Sequence, residues 1–178
     1  SFSSTGNVIA QYTNTLPDSR DQNLTSDFIS RVFAGGYSIS EVRGEGVEKA
    51  TIVIAVPVFS EKTKVESGLA AEVGVSVFNH AFDDVGMSNS WIGAVLDQNN
   101  HIVARSLDAE SRVGTAARTV LIDVTRGIAT SGTFESVTKE GVPALNSFTR
   151  SPLTQWTSVV AVSKAELSAP LYQAMAYT

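Results

Sequence analysis

Two stretches in the second half of the chain restrict this part of the fold to an antiparallel sheet. From Trp91 to Ser106, two apolar runs flank the polar residues Asp97 to Asn100, which predicts a strand, a tight turn and a second strand. From residue 151 to 171, a Ser-Pro turn precedes a β-branched apolar run, and Ser163 stands three residues before Glu166. That order predicts a turn, a buried strand and a capped helix. Strands joined by tight turns pair antiparallel.

Composition excludes several classes of protein. The 178 residues are 43% hydrophobic and 17% charged, as in an ordinary globular protein, with a net charge of −5. No basic cluster marks a nucleic-acid partner. Cysteine is absent, which excludes disulfides and thiolate metal sites. The longest apolar run, Ile52 to Phe59, is too short to cross a bilayer. We therefore expect no membrane span and no signal peptide in this sequence, and membrane contact only through flanking segments outside it.

The two halves of the chain repeat one order of predicted elements. In the first half, the patterns predict strands at 8–15, 37–42, 50–59 and 68–75, a helix at 21–33, a loop at 60–66 and a helix or connector at 76–84. In the second half, they predict strands at 91–97, 102–105, 132–138, 143–150 and 155–162, a helical or irregular stretch at 119–130 and a closing helix from 164. This repeat predicts an α+β fold of two modules, each an antiparallel sheet of about five strands flanked by helices. The predicted boundaries are 1–76, a connector at 77–90, and 91–178.

Several motifs carry a family resemblance. Five of them resemble the membrane-proximal module of the double Cache family, the PAS-like extracytoplasmic sensor domains of bacterial receptors. These are Asp97 with Asn100, the Ile102–Ser106 run, Val113-Gly114, Gly132-Thr-Phe134, and Arg150-Ser-Pro152 with Trp156. Asn14–Pro17 and Ile54–Val58 resemble the distal module. Three features depart from the family pattern. Ser3 stands where the first module has Asp, Asn100 stands where the second has Gly, and the family's long N-terminal helix has no counterpart in this chain.

The resemblance implies a sensor. The chain would be the periplasmic part of an inner-membrane receptor, most often a histidine kinase, and a homodimer in the full receptor. A small-molecule ligand, with carboxylates among the candidates, would shift a conformational equilibrium and move the closing helix, Lys164 to Tyr177. The Arg, aromatic and Asp pattern of amino-acid-binding members is missing. The alternative is a ligand-free structural or dimerisation module.

The candidate ligand-binding residues fall into two groups. Asn146, Phe148 and Arg150 share one face of the strand predicted at 143–150, together with Ala144. An amide, an aromatic ring and a guanidinium group suit an acidic small molecule, because Arg binds carboxylates bidentately. The alternative is that Arg150 ends the strand and caps a turn. The comparable polar candidates of the first half are Tyr12, Arg31, Tyr37 and Thr51.

No pattern of residues indicates catalysis, a metal site or a cofactor. His80 and His101 fall in different predicted elements and lack carboxylate partners at ligand spacing. The nucleophile motif Gly-x-Ser-x-Gly does not occur, and Gly44-Glu-Gly46 lacks the third glycine of a phosphate loop. Asp83-Asp84 is not followed by a calcium loop. We therefore expect a chain that is not an enzyme. Trp91 and Trp156 are predicted to be core or rim aromatics.

Overall fold

The computed structural model describes residues 25–60, 64–88, 90–127 and 129–168. These residues form two compact units. The three-stranded unit contains residues 25–41 and 51–73, and the five-stranded unit contains residues 42–50 and 74–168. The strand predicted at 8–15 and the first residues of the helix predicted at 21–33 lie outside the described residues. The α+β class predicted from the sequence is confirmed.

The three-stranded unit packs one short helix on a sheet. Its elements are α1 (Ser26–Phe33), β1 (Ser38–Ile39), β2 (Thr51–Ser60) and β3 (Lys64–Gly74), and the strand order is β1-β2-β3. Thr25 caps α1 by accepting a hydrogen bond from the backbone N–H of Phe28 (3.3 Å). Gly35, at φ +89°, allows the chain to leave the helix. The buried core joins Phe28, Ile29 and Val32 of α1 to Val53 and Ala55 of β2.

Two sequence predictions for this unit are wrong in part. The strand predicted at 37–42 is reduced to Ser38–Ile39. Ser40 still donates its N–H to the carbonyl of Val53, but the N–H of Val53 donates to the side-chain oxygen of Ser40 (2.9 Å), which interrupts the backbone ladder. Residues 64–66, predicted as loop, belong to β3. Their polar sequence hides the alternation of a strand with one exposed face. Three strands are described here, fewer than the five or so predicted for the first module.

The five-stranded unit is built on an antiparallel sheet. Its elements are α2 (Ser76–Asp84), β4 (Ile92–Leu96), β5 (Ile102–Arg105), α3 (Ala109–Arg112), α4 (Thr119–Thr125), β6 (Ser131–Val137), β7 (Pro143–Arg150) and β8 (Thr157–Ser163). The strand order is β5-β4-β8-β7-β6. Every neighbouring pair is antiparallel. All five strands predicted for this half are confirmed within about two residues, whereas the single turn of α3 was not predicted.

Each face of this sheet is covered by a different helix. The buried alternation along β7 places Ala144, Asn146 and Phe148 on one face, as predicted. We call this the inner face, and α4 packs over it. On the opposite face, a side chain at Gly93 would come within 2.6 Å of Phe82 in α2. The inner face and α4 therefore enclose the space in which a ligand could bind.

The β4–β5 turn is organised by one buried carboxylate. Asp97 is 1% exposed and accepts hydrogen bonds from the backbone N–H groups of Val42, Asn99 and His101, each at 2.9 Å. Asn100, which stands where the family has Gly, adopts the left-handed backbone conformation, at φ 64°. The bond to Val42 holds the segment 42–50 to this unit.

A close backbone approach fixes the same segment. A side chain at Gly114 would lie 2.1 Å from the carbonyl oxygen of Gly44, and Gly114 has φ +84°. The N–H of Gly46 donates to the carbonyl of Val113 (3.1 Å), and the N–H of Val47 donates to Glu110 Oε2 (3.0 Å). Glycine is required at position 114 for both conformation and space.

Candidate functional site

A small pocket lies between the inner face of the sheet and α4 in the five-stranded unit. Its volume is about 80 Å³. The sheet contributes mainly aliphatic side chains: Ile92, Ala94, Leu96, Ile102, Val159 and Ala161. Val120 and Leu121 of α4 and Phe134 of β6 line it as well. We call this the sheet–α4 pocket, and its interior suits an apolar group.

Of the predicted site residues that the structure describes, Asn146 is the one that lines the sheet–α4 pocket. Its amide nitrogen donates to Ser136 Oγ (2.9 Å) and to the carbonyls of Phe134 and Ala144 (3.3 Å each). Phe148, beside it on β7, is 4% exposed and packs against Phe134, with ring centroids 6.3 Å apart. Phe148 therefore shapes the inner face as part of the core, while Asn146 lines the pocket itself.

One end of the pocket is strongly cationic. Arg105, Arg118 and Lys139 line it. Arg118 donates to the carbonyl of Thr138 (2.8 Å), and Lys139 Nζ donates to Thr115 Oγ1 (3.2 Å) and to the carbonyl of Ala116 (2.9 Å). These acceptors are neutral, so they orient the two cations without cancelling their charge.

Arg105 is paired with a carboxylate. Its side chain is 5% exposed, and its Nη2 donates to both oxygens of Glu140, at 2.9 and 3.0 Å. Its Nη1 donates to the carbonyl of Leu107 (2.6 Å). Burial alone would raise the pKa of Glu140, but the charge and hydrogen bonds of Arg105 and a backbone hydrogen bond outweigh it. The pKa of Glu140 is therefore lowered from its ordinary value of 4.5.

Arg112 adds a further positive charge beside Lys139. Burial lowers the pKa of Lys139, and the charges of Arg112, Arg105 and Arg118 lower that pKa further, whereas the charge of Glu140 raises it. The Nε of Arg112 is buried and has no hydrogen-bond partner among the described residues. We call Arg105, Arg112, Arg118 and Lys139 the cationic cluster. Within the described part of the chain, Glu140 is the one carboxylate that forms an ion pair with it.

Arg150 lies at a second, polar pocket of the same unit. This pocket has a volume of about 180 Å³, and Asp97, Gln98, Arg126 and Thr157 line it with Arg150. Arg150 is half-buried and occupies the last position of β7, the residue at which the strand was predicted to end. The structure therefore separates Arg150 from Asn146, although both project from the inner face.

Two of the candidates from the first half, Arg31 and Thr51, have local partners in the three-stranded unit. Arg31 is exposed on α1 and pairs with Asp27 one turn earlier (2.9 Å). Thr51 Oγ1 donates to Glu72 on β3 (2.8 Å). Tyr37 is 39% exposed just after α1. Tyr12 lies outside the described residues. A ligand site formed by these four residues stays a prediction.

The cationic cluster was not predicted from the sequence. One signal was present, because Arg105 ends a run, Ile102 to Arg105, in which every residue is buried. A charge in a fully buried strand needs a partner. The partner, Glu140, is 35 residues away in the β6–β7 turn, and nothing local to either residue indicates the pair.

Trp156 belongs to the core of the five-stranded unit. It is buried and makes an edge contact with Phe78, with ring centroids 5.4 Å apart, which confirms the predicted core position.

The closing helix is attached to the residues that precede β4. The side chain of Ser163 accepts a hydrogen bond from the N–H of Glu166 (3.1 Å), as predicted for the start of this helix. Glu166 Oε1 accepts from the side chains of Ser90 (2.7 Å) and Trp91 (3.2 Å). These bonds attach the helix start to the residues just before β4.

Comparison with solved structures shows which fold this is. The chain is similar to the extracellular domain of rpHK1S-Z16, a protein assigned as a histidine kinase, with a TM-score of 0.59 and 13% identity over 82% of this chain and 62% of that one. It is similar to the periplasmic sensory domain of the Campylobacter jejuni chemoreceptor Tlp1 (TM-score 0.57, 13% identity, 83% and 57% covered). It is similar as well to the ligand-binding domain of the Pseudomonas aeruginosa amino acid chemoreceptor PctB in complex with L-Arg (0.61, 16%, 93% and 65%).

The chain has the fold of extracytoplasmic sensor domains. It spans 57–65% of the length of these three structures. No protein-family profile matches the sequence, and no curated protein does. Among the described residues, no helix is both long enough and apolar enough to cross a membrane.

Proposed function

We propose that this chain is the extracytoplasmic ligand-sensing region of a membrane-anchored signalling receptor. The observation that carries the proposal is the sheet–α4 pocket, an apolar space with a cationic end in a sensor-domain fold. Two similar structures are of domains in complex with L-Arg and with asparagine, which supports a small-molecule ligand here. The pocket would bind its ligand reversibly and leave it chemically unchanged, so the chain itself would not be an enzyme.

The finer assignment is a double Cache domain of a sensor histidine kinase. The motifs from Asp97 to Trp156 support a membrane-proximal module formed by the five-stranded unit, and the three-stranded unit would be part of the distal module. The receptor would lie in the inner membrane with this region in the periplasm, and it would act as a homodimer. A methyl-accepting receptor is the alternative output, since chemoreceptor domains share the fold.

Signalling would pass through the closing helix. A ligand that prefers one arrangement of α4 over the inner face shifts the population of that arrangement. β8 contributes Val159 and Ala161 to the pocket and runs directly into the helical residues 164–168. A change in the pocket can therefore reach the helix through one continuous strand.

A thermal-shift screen against small carboxylates, amino acids, sugars, nucleobases and polyamines tests the proposal. A ligand at one hundred times its dissociation constant should stabilise the fold by about 2.7 kcal/mol. Ala161→Leu fills the pocket and should abolish the shift. Ser158→Leu introduces the same side chain at an exposed position on the opposite side of the same strand and should retain the shift. A shift that survives Ala161→Leu, or no shift across the whole panel, contradicts ligand sensing by this pocket.

Glu166→Ala tests the coupling to the helix. The variant loses two hydrogen bonds to Ser90 and Trp91, each worth about 1 kcal/mol. We expect the amides of residues 164–168 to exchange with solvent at least tenfold faster, as measured by hydrogen exchange with mass spectrometry. Leu167→Ala, at a half-exposed position of the same turn, is the control and should change exchange little. Equal exchange in Glu166→Ala and the wild type would exclude a restraint at this point.

A ligand-free dimerisation module is the second candidate, and one observation favours it. Val137 and Leu145 are 41% and 37% exposed on the outer face of the β6–β7 hairpin. Val162 on β8 stands beside Leu145 in the register. An apolar surface of this kind suits a subunit contact. A dimer in sedimentation velocity that Leu145→Lys dissociates, together with a negative ligand screen, would favour this function.

A further inference from the structure

We propose that the sheet–α4 pocket binds a short aliphatic monocarboxylate, with its alkyl tail between the sheet and α4 and its carboxylate at Arg118 and Lys139. This inference rests on the proposed sensing function and specifies its ligand class. It differs from the carboxylate site expected at Arg150, which lines the separate polar pocket.

The charge around the pocket calls for an anion. The cationic cluster has four positive charges, and Glu140 is its one ion-pair partner among the described residues. Glu140 engages Arg105 with both oxygens. Among the described residues, Arg112, Arg118 and Lys139 therefore have no ion-pair partner, and the like charges around Lys139 repel its ammonium group. A bound anion would relieve that repulsion.

Hydrogen-bond donors remain free to meet the anion. Lys139 uses two of its three N–H groups on neutral oxygens, and Arg118 uses one of its five on Thr138. The buried Nε of Arg112 lacks a partner within the described ranges. Charge-assisted hydrogen bonds from Lys and Arg are the strong ones in protein–carboxylate contacts. Arg118 and Lys139 line the pocket, so their free donors can reach a ligand head there.

The interior of the pocket determines the nature of the tail. Most of the sheet residues that line it are aliphatic, and the amide nitrogen of Asn146 already donates its hydrogen bonds to protein acceptors. The volume of about 80 Å³ is roughly half that of a 150 Å³ cavity that holds benzene, which leaves room for roughly three or four carbon atoms. An amino acid is disfavoured, because its ammonium group would stand beside the cationic cluster with no free carboxylate.

Isothermal titration calorimetry of the chain with sodium butyrate tests the inference. Butyrate should bind roughly 10- to 100-fold more tightly than butanamide, which has the same tail and no charge. n-Butylamine should not bind, and octanoate should gain nothing over butyrate because the pocket cannot enclose its tail. Ala161→Leu should abolish butyrate binding, whereas Ser158→Leu should not. Equal affinity for butyrate and butanamide, or no binding of butyrate, would overturn the assignment.

Variants that remove the charge of Lys139 or Arg118 test where the carboxylate of butyrate binds. Lys139→Met and Arg118→Met should each weaken butyrate binding at least tenfold, while Lys139→Arg should stay within about threefold of the wild type. Arg150→Met, which alters the polar pocket, is the matched control and should bind butyrate normally. Arg118 is exposed, so its variant keeps the test valid if Lys139→Met does not fold. Undiminished binding in both variants would refute the placement.

The outcomes separate this inference from the proposed function. If butyrate fails but another compound stabilises the chain and Ala161→Leu blocks it, the sensing function stands and the ligand class is wrong. If no compound in the screen stabilises the chain, both are wrong.

Discussion

Asp97→Ala is expected to lower the free energy of unfolding of the five-stranded unit by about 4 kcal/mol. The carboxylate accepts three backbone N–H groups, from Val42, Asn99 and His101, and its removal leaves buried donors without acceptors. The loss affects both the β4–β5 turn and the attachment of residues 42–50. Asp97→Asn should cost about half as much, since one acceptor oxygen remains in place.

Urea denaturation followed by tryptophan fluorescence measures this effect. Both tryptophans of the chain belong to the five-stranded unit, so the signal reports on that unit. The midpoint should fall while the slope stays constant. Asp84→Ala, at the exposed end of α2, is the control and should change stability by less than about 0.5 kcal/mol. A loss below about 1 kcal/mol for Asp97→Ala would show that water or other groups replace the carboxylate.

Glu140→Gln should destabilise the same unit by about 3 kcal/mol at pH 7. Arg105 is 5% exposed and would keep its charge without a counterion. Arg105→Met should cost less, because Glu140 is more exposed than Arg105 and can meet solvent. Glu135→Gln breaks the exposed pair with Lys164 and is the matched control, with an expected loss below about 1 kcal/mol.

The effect of Glu140→Gln should depend on pH in one direction. The folded-state pKa of Glu140 is lowered from 4.5, so its contribution to stability is fully present above pH 4.5. That contribution is lost as the pH falls through the folded-state pKa, where the wild-type carboxylate becomes protonated. The difference between wild type and variant should therefore shrink below pH 4.5, and urea midpoints across pH 3–7 would measure it. A constant difference over this range would contradict the assignment of the charge to the Arg105 pair.

Local patterns predicted most of the five-stranded unit. The strands 102–105 and 143–150 match the structure residue for residue, and the segment 76–84, predicted as a helix or a connector, is a helix. Such apolar runs and alternations can be predicted because they depend on neighbours a few positions away. Prediction failed where the pattern was weak. Lys64–Glu66 is polar yet pairs in a sheet, and the strand expected at 37–42 shortens to two residues. Whether a polar segment forms a strand depends on the strand beside it.

The residues of the candidate site also differ in whether local patterns or long-range packing determine their positions. Because side chains alternate along any strand, the sequence was enough to predict that Asn146, Phe148 and Arg150 project from one face of β7. The packing of distant segments places Asn146 and Arg150 in different pockets and brings Arg105, Arg118 and Lys139 to the first pocket, with Glu140 paired to Arg105. Those four residues come from three separate segments that approach one another around the sheet ordered β5-β4-β8-β7-β6. Their charges interact through space over a few ångströms, and no spacing along the chain encodes that proximity.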